Sequence, residues 1–321
     1  MSATHRSRRE CYGIEIDLLA APEALPLVEE FFGPSPDTRD GSLPAFAGSG
    51  AELRLEIEVS DLPPAAPTSE PPHNEAALMG DPVVIDTGGS RAVIDPGGWS
   101  ARVVLSRADL NDSIVWGRWI LERLFLYLVC RSDRHYPLHT GAIEIDGRGA
   151  LVTAPTGVGK STFTYWASHR GAVLCGEDIM VRHLDGGAGL VWGHPRVTYL
   201  APDLIARCPE LDQAPRAEVD GGRKYRLSLA DSPGRRLRSA LRPDAVVFLA
   251  HGEPSIRVLD LDEAVERSRD DFSTAKSDPA LLAAVEADLR ASLAGLPVWE
   301  LGLSLDLDAS YDVLSKALRE L

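Results

Sequence analysis

One stretch decides the fold of this chain: Thr153-Ala154-Pro155-Thr156-Gly157-Val158-Gly159-Lys160-Ser161-Thr162. It follows an apolar run at 150–152 and precedes a segment at 163–169 whose residues favour a helix. A strand, a glycine-containing loop and a helix in this order are typical of a phosphate-binding P-loop. We therefore expect an α/β domain with a nucleotide site.

Each residue type in this loop suits phosphate binding. Gly157 and Gly159 allow backbone N–H groups to turn inward and form a concave nest for phosphate oxygens. The following helix points the unpaired N–H groups and the partial positive charge of its N-terminus at the same anion. Lys160 adds a full charge for the outer phosphates, and the Ser161 hydroxyl can ligate a magnesium ion that bridges them. The sequence thus predicts that ATP and Mg²⁺ bind here.

The nucleotide contacts are expected from the whole loop: Ala154, Pro155, Thr156, Gly157, Val158, Gly159, Lys160, Ser161 and Thr162. Ala154 stands where the usual Gly-x-x-x-x-Gly-Lys-Ser/Thr pattern has its first glycine. Because alanine lacks glycine's freedom at positive φ, the entry to the loop must use an ordinary backbone conformation. A Gly/Thr-rich turn with an incidental lysine is the alternative, and the flanking strand and helix disfavour it.

Composition is that of a globular protein. The chain has 321 residues, 44% of them hydrophobic and 25% charged, which allows one large domain or two ordinary ones. The four cysteines are far apart and form no Cys-x-x-Cys pair, which is typical of reduced thiols in a cytoplasmic protein. The first ten residues are basic without an apolar run behind them, so no secretory signal is predicted.

Charge and hydropathy exclude two classes of partner. The most apolar stretch, 114–130, contains Arg118, Glu122 and Arg123, so a half-buried helix is predicted there and not a membrane span. The formal net charge of −15 argues against a general affinity for nucleic acid or anionic lipid. Nothing in the sequence excludes a homo-oligomer.

A local basic excess runs against this net charge. Between 216 and 242 there are eight Arg or Lys and three Asp or Glu, a local charge of +5 that leaves −20 for the rest. Most of such a cluster is expected to be a solvated surface. In a kinase the same cluster could also hold phosphates or an acidic substrate segment.

Three regions are predicted along the chain. Residues 1–110 have alternating apolar patterns, which predict a smaller N-terminal α/β domain of unknown role. Residues 111–135 are predicted to form a connecting helix, and residues 136–321 the P-loop catalytic domain. Strands at 142–145 and 149–153 should form a hairpin around the turn dipeptide Asp146-Gly147.

A kinase also needs carboxylates near the P-loop phosphates. Glu177 and Asp178 follow the first strand after the P-loop helix, and α/β sheets place ligands at the carboxyl ends of their strands. Asp260, which ends another apolar run, is the rival and is equally consistent with a solvated acid. Topology favours the Glu177-Asp178 pair.

Two segments around the P-loop resemble a known family. The segment before it reads Leu138-His139-Thr140-Gly141-Ala142-Ile143-Glu144-Ile145-Asp146-Gly147-Arg148-Gly149-Ala150-Leu151-Val152. The segment after it reads His169-Arg170-Gly171-Ala172-Val173-Leu174-Cys175-Gly176-Glu177-Asp178. Together these segments resemble the C-terminal catalytic domain of the HPr kinase/phosphorylase family. The shared order is a histidine motif, an apolar hairpin, a P-loop, an Arg-Gly pair and two acids. The resemblance spans 137–183 and implies a P-loop kinase core of the HPr kinase/PEP carboxykinase type.

Carried over residue by residue, the resemblance implies specific roles. His139 matches the family histidine, although Thr140 stands where the family has glycine. Lys160 and Ser161 match the P-loop lysine and the magnesium-binding hydroxyl. Glu177 replaces the first family acid, which is the base for the attacking hydroxyl, while Asp178 matches the second acid, near the metal. The extra methylene of Glu177 moves its carboxylate by about a bond length, and a misplacement of about 1 Å can cost ~10²-fold in rate.

The resemblance implies an ATP-dependent serine kinase. The family's HPr-contacting signature is not found, so the chain is more similar to divergent HPr-kinase-like proteins, including those that phosphorylate serine on precursor peptides. We expect a peptide or protein acceptor. Two alternatives remain open from the sequence: a P-loop ATPase that acts as a switch or scaffold, and a kinase of small-molecule hydroxyls.

Overall fold

The structure is a computed structural model of the chain. It describes residues 4–33, 52–61, 80–184, 189–208, 211, 216–219, 222–229, 236–272 and 279–321. These residues form a mixed α/β fold with two compact units, Met1–Ser132 and Asp133–Leu321. The segment at 62–82, whose Pro-, Ser- and Glu-rich composition predicts a loop, lies mostly outside the described residues.

The first unit is built on a six-stranded sheet. Its strands are β1 (His5–Cys11), β2 (Ile14–Ala20), β3 (Glu52–Ser60), β4 (Val83–Asp86), β5 (Arg91–Asp95) and β6 (Ser100–Ser106). They lie in the order β1-β2-β3-β6-β5-β4. Its helices are α1 (Leu25–Phe32), 3₁₀ turns at Pro22–Ala24 and Arg107–Asn111, and a π-helix (Ile114–Glu122) that continues into α2 (Arg123–Arg131). Buried and exposed residues alternate along the central strands, as expected for a sheet with one covered face.

Helical residues 114–131 lie in the region predicted as a connecting helix at 111–135, and they pack within the first unit. The Phe125 ring of α2 stacks on Phe31 of α1 with centroids 6.1 Å apart and lies 6.2 Å from Tyr12. The compact unit accordingly extends to Ser132, so this helix is part of it. No helix in the described ranges is both long and apolar enough to span a membrane.

The second unit contains three sheets. Its strands are β7 (His135–Leu138), β8 (Thr140–Ile145), β9 (Arg148–Thr153), β10 (Val173–Gly176), β11 (Met180–His183), β12 (Val191–Gly193), β13 (Val197–Leu200), β14 (Arg216–Val219), β15 (Lys224–Ser228), β16 (Ala240–Leu241), β17 (Ala245–His251), β18 (Ile256–Val258) and β19 (Val298–Leu303). Its helices are α3 (Lys160–His169), α4 (Pro202–Ala206), α5 (Leu261–Phe272), α6 (Pro279–Ala294) and α7 (Leu307–Arg319). The sheet orders are β10-β8-β9-β17-β19-β18, β16-β12-β11-β7 and β13-β15-β14.

The predicted hairpin around Asp146-Gly147 is confirmed. Ile145 pairs with Arg148, which leaves a two-residue loop. Both loop residues have positive φ, 52° at Asp146 and 82° at Gly147. Positive φ at both central positions is the type I′ geometry that matches the twist of the flanking strands. The hairpin delivers β9 into the middle of the large sheet.

The large sheet of the second unit is covered on both faces. β17 runs parallel to β9 and to β19, and Ala245 to Leu249 are all buried. Alternate residues of β17 belong to different cores: Val247 and Leu249 pack with α3 and α7, whereas Val246 and Phe248 pack with α5 and α6. Continuous burial along a strand is typical of parallel strands between two helical layers. Polar groups are consequently left at the strand ends.

The structure differs from the sequence prediction in two segments. No strand is predicted from the sequence between 197 and 229, yet β13, β15 and β14 form a small antiparallel sheet there. The apolar run at 256–261 predicts a single strand, but β18 ends at Val258 and α5 begins at Leu261. Leu261 is helical because Asp260 caps the helix: its side chain accepts the N–H of Glu263 at 2.8 Å.

Candidate active site

The P-loop spans the gap between β9 and α3. Gly157 and Gly159 have φ values of 89° and 112°, which only glycine adopts readily. A Cβ placed on Gly157 would meet no atom within 4 Å, so the loop is open at its tip. Ala154 is 4% exposed and packs into the core without positive φ, as the sequence predicted for this position. The open tip and the α3 N-terminus form a cradle of the kind that binds phosphate.

Lys160 begins α3 and is held by an acid from the turn that follows β10. Its side chain is only 7% exposed. The Nζ atom donates to the Asp178 Oδ1 at 3.0 Å and to the Asp178 main-chain oxygen at 3.2 Å. The P-loop lysine and the second acid of the pair are therefore in direct contact.

His139 contacts the same carboxylate. It is the single residue between β7 and β8, and its Nε2 lies 3.0 Å from the Asp178 Oδ1. Burial opposes ionisation of Asp178, but the hydrogen bond from His139 and the positive charge of Lys160 together hold the pKa of Asp178 below its ordinary value. Asp178 thus stays ionised at neutral pH, and its side chain remains 49% exposed.

Glu177 has the opposite environment. It is 4% exposed, and its Oε1 accepts the main-chain N–H of Tyr199 at 2.5 Å. Its Oε2 is buried without a hydrogen-bond partner among the described residues. Burial raises the pKa of Glu177 to about 7, and the negative charge of Asp178 adds to this; the Tyr199 N–H, the Ser161 hydroxyl and Lys160 act in the opposite direction.

Strand direction explains why these groups meet. β10 is antiparallel to β8, and β8 is antiparallel to β9, so β10 and β9 run in the same direction. The acids after β10 and the P-loop after β9 therefore project from the same edge of the sheet. His139 reaches that edge because it immediately precedes β8.

The rival acid lies at the other edge. β18 is antiparallel to β19, and β19 runs parallel to β17 and hence to β9. Asp260, which follows the carboxyl end of β18, is exposed at the opposite edge from the P-loop. Its side chain caps α5 through Glu263, so the structure gives it a local role and removes it as a metal-side acid.

The residues present fit a magnesium ion bound together with nucleotide. Among the described residues, no group of three or more His, Cys, Asp or Glu side chains could hold a metal ion by itself. Mg²⁺ commonly takes only one or two protein oxygens and completes its shell with phosphate and water. The Ser161 hydroxyl, half-buried in the first turn of α3, and the half-exposed Asp178 carboxylate are oxygen ligands of this kind.

Two arginines of the basic excess at 216–242 are used within the fold. Arg226 is 2% exposed, and Arg238 pairs with Glu144 at 2.5 Å. The other described basic residues of this stretch are exposed: Arg216, Arg223, Lys224, Arg236 and Arg242.

Two further groups at the site were not predicted. Thr140, the residue that departs from the family pattern, donates its hydroxyl to the Val152 main-chain oxygen at 2.8 Å and ties β8 to the end of β9. Tyr199 contacts Glu177 through its main-chain N–H, and a main-chain contact leaves no side-chain motif in the sequence. Gly141 is also constrained, because a Cβ there would lie 2.6 Å from the Thr164 methyl group.

Comparisons with known proteins add little. No protein-family model matches the chain, and no curated protein sequence matches it significantly. One similar solved structure is the HPr(Ser) kinase/phosphatase from Coxiella burnetii, with 12% identity, coverage of 57% of this chain and 94% of that chain, and a TM-score of 0.28. At this level the similarity establishes neither fold nor function.

Proposed function

We propose that this chain is an ATP-dependent kinase that transfers the γ-phosphoryl group to a hydroxyl, and that the acceptor is a serine of a peptide or protein. The main support is the Asp178 carboxylate, which Lys160 and His139 both contact at 3.0 Å at the P-loop edge of the sheet. The serine acceptor comes from the motif resemblance.

The paired acids favour chemistry over nucleotide-dependent switching. A switch requires a P-loop but no group that takes a proton from an acceptor. Glu177 and Asp178 have pKa values shifted in opposite directions by their surroundings. Neighbouring acids with separated pKa values are a common basis for dividing the roles of base and permanent anion.

Each group at the site has a separate role in the proposed reaction. The P-loop N–H groups and the α3 N-terminus bind the phosphates, and Lys160 places positive charge beside the outer ones. Magnesium held by Ser161 and Asp178 would, when bound, neutralise charge on the phosphate oxygens. His139 orients the Asp178 carboxylate through their shared hydrogen bond.

Glu177 is the proposed base. The acceptor oxygen forms a bond to the γ-phosphorus while the bond from that phosphorus to the β–γ bridging oxygen breaks, which leaves ADP. The acceptor proton passes to Glu177. A base with a pKa of about 7 is well matched to neutral pH, because it is substantially ionised yet still holds a proton effectively.

The decisive experiment is a phosphate-transfer assay with γ-labelled ATP, Mg²⁺ and serine-containing peptides or proteins. We expect label on the acceptor hydroxyl, and no label with a Lys160→Ala variant that remains folded. Label released only as free phosphate would favour the ATPase switch. Label on small hydroxyl compounds and not on peptides would favour a small-molecule kinase.

A further inference from the structure

The edge of the small sheet lies against the first acid of the pair. β13 is the outer strand of the order β13-β15-β14, so one side of it carries no strand from the described part of the chain. Glu177 occupies that side: its Oε1 accepts the Tyr199 N–H at 2.5 Å. A carboxylate oxygen here takes the place that a neighbouring strand's carbonyl would have.

The register shows that this N–H is directed away from the sheet. The main-chain oxygen of Arg196 accepts the Leu229 N–H at 2.7 Å, next to the β13–β15 ladder. Hydrogen-bonded pairs alternate along an antiparallel ladder, so Thr198 and Leu200 carry the next bonds to β15. The Tyr199 N–H faces outward and is available to Glu177 without loss of a ladder bond.

The two oxygens of Glu177 are consequently different. Oε1 is held by Tyr199, whereas Oε2 is buried without a partner among the described residues. Buried polar atoms are nearly always bonded, and an exception calls for an explanation such as a catalytic role. One oxygen that is fixed and one that makes no hydrogen bond to a described residue suit a base that must meet an acceptor hydroxyl in a defined direction.

We propose that the Tyr199 main-chain N–H is a positioning group that fixes the Glu177 carboxylate, with Oε1 as the anchored oxygen and Oε2 as the oxygen that receives the acceptor's proton. This inference rests on the proposed kinase function, because it concerns the base of that reaction. It also gives the small sheet a role at the site, since the strand that orients the base belongs to it.

Proline substitution can remove this N–H selectively. Proline is tolerated on an edge strand whose N–H faces away from the ladder. Tyr199→Pro removes the N–H and the side chain, whereas Tyr199→Ala removes the side chain and keeps the N–H. The difference in kcat between these two variants therefore reports the effect of the hydrogen bond. Val197→Pro is a matched control, because the Val197 N–H also faces outward two residues earlier, while the described hydrogen bond to Glu177 comes from Tyr199.

We expect kcat for phosphoryl transfer to be ~10²-fold lower in Tyr199→Pro than in Tyr199→Ala, the cost of a base misplaced by about 1 Å, with little change in KM for ATP. Val197→Pro should stay within a few-fold of the wild type. In the Glu177→Gln background, kcat of Tyr199→Pro and kcat of Tyr199→Ala should be nearly equal, because the base that the N–H positions has gone. Equal kcat values for Tyr199→Pro and Tyr199→Ala, or a difference between them that persists in the Glu177→Gln background, would overturn the proposal.

A second measurement is independent of activity and of whether the proline variant folds. In the full chain, amide hydrogen exchange at Tyr199 should be faster in Glu177→Ala than in the wild type, while Thr198 and Leu200 keep their protection. Unchanged exchange at Tyr199 would overturn the positioning role alone. Absence of phosphate transfer by the wild-type chain would instead overturn the kinase function.

Discussion

The two six-stranded sheets use charged residues in different ways. In the first unit, charges lie on an open sheet face and pair across strands, as Arg102 does with Glu58 at 2.8 Å with exposed fractions of 60% and 46%. In the second unit both faces of the sheet are covered, and Lys160, at 7% exposed, meets Asp178 at a strand end. In a sheet covered on both faces, charged side chains therefore lie at the strand ends, where water competes less for their ion pairs than it does on an open face.

This difference in exposure decides what each charge can do. Exposed ion pairs are screened by water and salt and contribute little. Charges near low-dielectric protein interact more strongly and shift the pKa of their neighbours, as Asp178 and Glu177 show. Strongly shifted pKa values favour a functional site, so the proposed chemistry belongs to the second unit.

The largest effect is expected at the P-loop lysine. Lys160→Ala should abolish ATP turnover, because it removes the charge for the outer phosphates and leaves Asp178 with only His139. The measurement is turnover with folding checked by circular dichroism. Full turnover in a folded Lys160→Ala variant would show that the P-loop edge is not the catalytic region.

The next effect is expected at the proposed base. Glu177→Gln should lower phosphoryl transfer by ~10²-fold or more while leaving ATP affinity nearly intact, because a base acts on the acceptor and not on the nucleotide. Transfer rates and calorimetric ATP binding check the two parts separately. A parallel loss of affinity would indicate that Glu177 serves nucleotide binding instead.

A third prediction compares acids at opposite edges of the same sheet. Asp178→Asn should raise the Mg²⁺ concentration needed for half-maximal activity, since it removes a charged ligand. Asp260→Ala should lower stability by about 1 kcal/mol through loss of the α5 cap, without changing that Mg²⁺ concentration. Asp260→Asn, which retains a capping side chain, is the matched control. An altered Mg²⁺ requirement in Asp260→Asn alone would reverse the assignment.

A fourth prediction concerns pH. The pKa of Glu177 is raised in the folded chain to about 7, from an ordinary value near 4.5. The folded state therefore holds a proton that the unfolded state has lost, so this group's contribution to stability is complete below pH ~4.5 and declines as pH rises to ~7, by up to about 1.4 kcal/mol per pH unit. Denaturant titrations across this range should show that decline in the wild type and a smaller one in Glu177→Gln. Identical slopes would mean that Glu177 is not buried as described.

The smallest effect is expected on the open face of the first sheet. Arg102→Ala should leave ATP affinity and transfer unchanged, because its pair with Glu58 is exposed to solvent. High salt should likewise have little effect on the wild-type stability through this pair. A clear loss of peptide transfer in Arg102→Ala, with ATP hydrolysis retained, would instead assign the first unit's sheet to acceptor binding.

The parts of the site that could be predicted from sequence are local. The P-loop, its glycines and the Asp146-Gly147 turn depend on backbone conformations that neighbouring residues specify. The Glu177-Asp178 pair could be placed at the P-loop edge because it follows the next strand after the P-loop helix. Asp260 could not be resolved in the same way, since its location depends on the direction of β18, which is set by pairing with β19.

From sequence alone, a glycine-containing loop between a strand and a helix and two acids close behind it could be predicted, because glycine conformations and apolar periodicity act over a few residues. Only the tertiary structure decided that Asp178 meets Lys160 and His139, and that Glu177 is buried against Tyr199. The physical reason is that burial, strand direction and a main-chain N–H that faces outward arise from contacts between distant segments. Those contacts also separate the two pKa values, which side-chain identity alone would leave nearly equal.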